Sequence, residues 1–236
     1  MIVVVAFLWL LAFGAAFYLA RQDIAAKPWL ERGLAVGAPQ PIDRREPAAR
    51  AGLIMLLAVV GVLFALLAGA FGMRANDADW ILSPAPGLLW FNTGLLFLSS
   101  FGLEGAARCS AGGEARKAEG LLLVGAVCAG AFLVGQIAAW RQLAEEGFGV
   151  ASNPGAAFFY LMTGVHGLHI LGGLVALAVT FAQTRGDIVS RTAQLRLRLC
   201  AAYWHFLLLV WLGLFALLEG WGGGLITLCS GLTGGH

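Results

Sequence analysis

The sequence predicts an all-α integral membrane protein with six transmembrane helices, a five-helix core plus a separate N-terminal helix. Three observations carry this. Of 236 residues, 60% are apolar and 12% charged, with a mean hydropathy of +0.83; an ordinary soluble domain is about a quarter charged. The apolar residues gather into six runs, at roughly 2–20, 51–72, 86–107, 119–140, 156–182 and 199–221. Each is close to the ~20 residues that a helix rising ~1.5 Å per residue needs to cross ~30 Å of hydrocarbon. The runs are continuous rather than alternating, which favours helices over the strands of a barrel.

The first run, "IVVVAFLWLLAFGAAFYLA", lacks a basic segment before it, and its flanking positive residue, Arg21, follows it. It reads as a retained anchor (residues 1–20) rather than a cleaved signal. Residues 21–50 contain "PQPIDRREPAAR", whose three prolines and mixed charge predict an extended connector rather than a domain. Residues 51–221 then form a block of five apolar runs joined by shorter loops, and 222–236 are a Gly-rich tail. No internal repeat is evident, and no soluble catalytic domain fits. The four cysteines, Cys109, Cys128, Cys200 and Cys229, are scattered without a CxxC pair, so buried thiols are expected rather than a disulfide framework.

Orientation follows from the fifteen Lys and Arg residues. Arg21, Lys27, Arg32, Arg44, Arg45 and Arg50 precede the second run. Arg108, Arg116 and Lys117 fall between the third and fourth, and Arg185, Arg191, Arg196 and Arg198 between the fifth and sixth. Only Arg74 and Arg141 fall in the other loops. The positive-inside rule therefore places the first, third and fifth loops in the cytoplasm and both termini outside. The tryptophans Trp29, Trp80, Trp90, Trp140, Trp204, Trp211 and Trp221 fall mostly at predicted interfaces, where indole anchors helices. Basic residues at the cytoplasmic face suit anionic lipid head groups, which is also the ordinary result of this topology.

Polar groups within the spans are the informative exceptions. The second run has none. The third carries Asn92, Thr93, Ser99 and Ser100, the fourth Gln136, the fifth Thr163, His166 and His169, and the sixth Tyr203, Trp204, His205 and Trp211. His166 and His169, three positions apart, share one face of a helix. The glycines around them, Gly164, Gly167, Gly172 and Gly173, suit close backbone approach between helices. Counted along antiparallel neighbours, His169 and His205 could come within side-chain reach.

Three histidines on two helices could serve zinc, copper or iron. No carboxylate lies mid-span to orient such a ligand, and carboxylates or carbonyls are its usual partners. A proton relay would want a chain of Asp, Glu and His. Glu104 and Glu119 lie near cytoplasmic ends, Asp77, Asp79, Glu145 and Glu146 in external loops, and Glu219 near an outer end, leaving only histidine and Gln136 at mid-membrane. Helix packing is the reading the residues favour. Phosphate-binding loops, nucleophile triads and paired acids are missing, and nothing suggests nucleic-acid binding.

With these residues in place, the chain resembles subunit III of the haem–copper respiratory oxidases. "FFYLMTGVHGLHILGG" (158–173) and "AYWHFLLLVWLGLF" (202–215) are similar to the family's TG-x-HG-x-H and YWHF…W signatures. "WFNTGLLFLSS" (90–100) is similar to its W-x-N-T…SS pattern, and "GAFLVGQIAAW" (130–140) to the stretch that carries its glutamine. The resemblance runs in order over about 51–221. It implies an accessory subunit with no redox centre of its own. Such a subunit packs against subunit I, with subunit II in the same complex, which holds the haem and copper. It binds phospholipids and sustains proton uptake and stability. Trp90, Asn92, Thr93, Gln136, Thr163, His166, His169, Tyr203, Trp204, His205 and Trp211 then form a helix-packing and lipid-facing motif, with no catalytic, cofactor or metal residue. Three family acids are replaced, by Val60, Ala139 and Leu208, so a packing role is expected to outlast any proton-buffering one. The alternatives are a subunit III-like component of a nitric oxide reductase system and, from another class, an independent transporter or channel.

Overall fold

The computed structural model describes residues 45–75, 80, 86–184 and 187–220. Every regular element among them is an α-helix, and there are five rather than the six expected. The predicted N-terminal span, the connector up to residue 44 and the tail from 222 lie outside the described residues. The helices are α1 (Arg45–Arg74), α2 (Leu88–Ala111), α3 (Ala115–Glu145), α4 (Pro154–Thr184) and α5 (Arg191–Leu218). Four of them, α1, α3, α4 and α5, are long and apolar enough to cross a membrane. The exception, α2, carries Asn92, Thr93, Ser99, Ser100 and Glu104. At 24 residues it is about 36 Å long, so composition rather than length sets it apart.

The helix ends run past the apolar segments because charged residues continue a helix once it leaves hydrocarbon. α1 begins at Arg45, inside the stretch expected to be connector. Pro47 sits in its first turn, where proline removes no helical hydrogen bond. Glu46 lies there too, favourable at the positive end of the helix dipole, and pairs with Arg50 at 2.6 Å one turn on. α4 starts at Pro154 beneath Asn153, whose Oδ1 accepts from the Ala156 amide at 2.9 Å. Ser190 caps α5 in the same way through the Ala193 amide. The reversals after α2 and α3 each use a glycine in the left-handed region, Gly113 at φ 81° and Gly147 at φ 90°.

The chain divides into two compact units, Met1–Gly69 and Ala70–His236. In the second, α2 packs on α3 and α5, and α4 on α3 and α5. Neighbours are antiparallel, as the register of their contacts shows. Between α2 and α3, Ser99 Oγ donates to the Gly125 carbonyl at 2.8 Å, and a Cβ built on Gly102 would lie 3.2 Å from the Leu121 carbonyl. Between α4 and α5, a Cβ on Gly173 would lie 2.8 Å from the Trp204 ring. The four helices thus make a closed up-down-up-down ring. Small residues bring backbones together where the seams are tightest, as in other membrane bundles.

Candidate functional site

The interior of the ring holds one polar layer to which every helix contributes. Its centre is Trp211 of α5, which has no solvent exposure. The indole Nε1–H donates to Thr93 Oγ1 of α2 at 2.9 Å, and the Thr93 hydroxyl donates in turn to the Leu89 carbonyl at 2.8 Å. On α3, Phe132 meets the Trp211 ring edge-on at 4.9 Å. On α4, His166 lies 5.2 Å from Trp211 at a 30° tilt and 5.9 Å from Phe132, wholly buried. One indole therefore touches all three other helices. Asn92 and Gln136, at 0% and 2% exposure, complete the layer from α2 and α3. The amide of Asn92 rests on Gly135, where an added Cβ would collide with it.

The HxxH pair does not act as a unit. His166 faces the bundle axis, whereas His169 is half-buried and turns Nδ1 back to the Val165 carbonyl at 2.7 Å. The carbonyl of His169 accepts from Tyr203 Oη at 3.1 Å. Nor do His169 and His205 come together. Residues two apart on a helix point about 200° apart at ~100° per residue. Tyr203 therefore faces α4 while His205 faces α2. There His205 Nδ1 lies 2.5 Å from Ser100 Oγ, and Nε2 lies 3.5 Å from Glu104 Oε2. Glu104 in turn accepts from Arg108 Nε at 2.7 Å. This chain climbs α2 from the Arg108 end to a wholly buried Ser100.

Sequence reasoning left Glu104 at a cytoplasmic end and missed its contact with His205. The available signal was the i, i+4 spacing of Glu104 and Arg108, which holds the carboxylate along the helix, on a helix whose polar residues mark it as inward-facing.

The remaining motif residues frame the layer. Trp140 Nε1 donates to Thr163 Oγ1 at 3.0 Å, and Thr163 donates to the Phe159 carbonyl at 2.7 Å. Tyr160 Oη bridges the Trp140 and Phe148 carbonyls, tying the α3–α4 loop to the bundle. Trp204, wholly buried, fills the space over Gly173. Trp90 is 55% exposed and meets Phe215 edge-on at 4.8 Å. Ala139 and Leu208, two of the positions where the family resemblance expects an acid, are both buried. Among the described residues no group of three or more His, Cys, Asp or Glu side chains is placed to hold a metal ion.

Comparison with known proteins places the chain in a family. Residues 84–223, which include the whole four-helix ring, match the family described as Cytochrome c oxidase subunit III. The chain is 36% identical over 95 residues to a probable cytochrome c oxidase subunit 3 of Nocardia farcinica, covering 40% of this chain and 45% of that one. It is 31% identical over 117 residues to the cytochrome c oxidase subunit 3 of Corynebacterium diphtheriae, covering 50% and 55%. It is 27% identical over 161 residues to the cytochrome bo(3) ubiquinol oxidase subunit 3 of Pseudomonas putida, covering 68% and 76%. The match to the first two thus spans about half of their length. With the family match extending over more than half of its own residues, the chain belongs to the cytochrome c oxidase subunit III family.

Proposed function

We propose that the chain is a non-catalytic accessory subunit of a haem–copper terminal oxidase, packed in the membrane against the subunit that carries haem and copper. The observation that carries this reading is the use made of the motif residues. His166 packs at a tilt against the Trp211 ring, His169 is turned onto its own helix, and His205 is held by Ser100 and Glu104. The side chains of His166 and His205 join helices to one another, and the His169 carbonyl does so through Tyr203, so the signature residues serve the shape of the bundle. The outer faces remain apolar, with Leu98 on α2, Val134 on α3, Leu168 on α4 and Leu209 on α5 all more than half exposed. Such faces suit acyl chains of phospholipids and the helices of subunits I and II. The relatives include subunits of both cytochrome c and ubiquinol oxidases, so either donor fits the wider complex.

In this reading the N-terminal segment 1–20 is a further span joined by a cytoplasmic connector, and both termini are periplasmic. The motif residues fix bundle packing, and support of proton uptake by the neighbouring subunit depends on that packing. Affinity purification of the tagged full chain in a mild detergent tests the assignment. The expected result is a co-eluting partner with haem absorbance and oxygen consumption. A homo-oligomer without haem absorbance would point to an independent transporter or channel and sink the oxidase reading. Nitric oxide reduction by the co-eluting complex, without oxygen reduction, would move it to the nitric oxide reductase system.

A further inference from the structure

Two carboxamides share the bundle interior. Asn92 and Gln136 are at least 98% buried, and none of their four amide atoms hydrogen-bonds to another group among the described residues. They come from the two helices of one seam, Asn92 from α2 and Gln136 from α3. The Asn92 amide lies against the backbone of Gly135, the residue before Gln136, in space that any larger side chain at 135 would fill. Thr93, next to Asn92 in the chain, is already engaged with Trp211 and with the Leu89 carbonyl. Leu89 and Leu96, three and four positions from Asn92, and Phe132, four from Gln136, share their helix faces and are wholly buried. A carboxamide offers two N–H donors and a two-lone-pair acceptor, and leaving these unmet in a bilayer interior is strongly unfavourable.

We propose that Asn92 and Gln136 form a binding site for internal water between α2 and α3, at the level of Trp211. The chemistry of the pair selects the ligand. Both groups are neutral and each presents donors and acceptors, so the occupant must do the same. With no carboxylate the site does not suit a metal cation, and with no cationic donor it does not suit an anion. Water satisfies such a pair by making two to four hydrogen bonds, as buried waters do in polar interiors. Gly135 is then a positioning residue, since its missing side chain leaves the room in which the Asn92 amide sits.

Water-edited solid-state NMR on the ¹⁵N-labelled full chain in lipid bilayers tests this directly. At short mixing times the side-chain NH₂ groups of Asn92 and Gln136 should receive magnetisation from water, while the backbone amides of Leu96 and Phe132 should not. The signals are assigned by their loss in Asn92→Leu and Gln136→Met. Absence of transfer to either NH₂ overturns the site, as does a direct amide–amide bond without water. Thermal melting supplies a second readout. If one water joins the two groups, Asn92→Leu and Gln136→Leu should together lower the melting temperature by less than the sum of the single shifts. An additive result overturns the shared site.

Discussion

Trp211 and Thr93, 118 residues apart, are joined by a 2.9 Å hydrogen bond at the point where all four helices of the ring meet. The bond and the ring make separable contributions. Replacing Trp211 by Phe removes the N–H and keeps most of the aromatic volume, so the cost should be about 0.6 kcal/mol, the average for an interhelical hydrogen bond in a membrane. Trp211→Ala also opens a cavity against Phe132 and His166 and should cost about 3–5 kcal/mol. Reversible unfolding in mixed detergent micelles measures both. Equal costs would show that the ring contacts contribute nothing.

Glycine positions should divide by what surrounds them. A Cβ at Gly173 would lie 2.8–2.9 Å from the rings of Trp204 and Tyr203, and one at Gly102 would press on the α3 backbone at 3.2 Å. Gly173→Ala and Gly102→Ala should each destabilise by about 1–3 kcal/mol through overpacking. Gly94 and Gly130 have nothing within 4 Å of such an atom, so alanine there should be neutral or slightly stabilising. Melting of the four variants in detergent checks the division. A loss at Gly94 as large as that at Gly173 would contradict it.

His205 and Ser100 should behave as one unit. Ser100→Ala and His205→Gln, measured singly and together, should be non-additive by about 0.5 kcal/mol or more, as expected of groups in one hydrogen-bond network. The same cycle run on Ser100 and Tyr203, which faces the opposite seam, should give additive losses. Coupling in the second cycle and not the first would mean that His205 and Tyr203 exchange faces.

The exposed apolar face of α4 sets a further expectation. Leu168, 67% exposed near the middle of Pro154–Thr184, should accept Met or Val with little effect on insertion. Leu168→Arg should weaken membrane insertion of this helix by about 2.5–3.5 kcal/mol, the cost of a cation at a helix centre. Glycosylation mapping of inserted and non-inserted forms reads this out. Unchanged insertion of the Arg variant would place Leu168 beside polar surroundings instead.

The sequence shows the helices clearly and their relations poorly. Each apolar run in 51–221 lies on or across a helix, because hydrocarbon demands about 20 apolar residues whatever the neighbours are. Hydropathy reports the membrane rather than the helix, which is why α5 begins at Arg191 while its apolar run begins near 199. The inward turn of Asn92, Gln136 and His166 was also legible, since a polar group in a span has nowhere favourable to face but protein. What stayed hidden was azimuth. His166 and His169 sit only one turn apart, yet one reaches the axis and the other a seam. That difference is set by where α3 and α5 lie, and local spacing does not encode it. The Glu104–His205 contact was hidden for the same reason, linking residues about a hundred positions apart.

The closed ring also has a consequence for biogenesis. Its seam between α2 and α5 joins the first and the last of these four helices to be synthesised, through Thr93–Trp211, Ser100–His205 and the donation from Gln194 Nε2 to the Ser110 carbonyl. Until α5 leaves the ribosome, α2 must wait in the bilayer with Thr93, Ser100 and Glu104 lacking these partners. A nascent chain stopped before residue 205 therefore leaves these polar groups without their α5 partners in hydrocarbon, which is costly. Completion of the last helix supplies those partners, so the seam ties burial of the first helix of the ring to synthesis of the last.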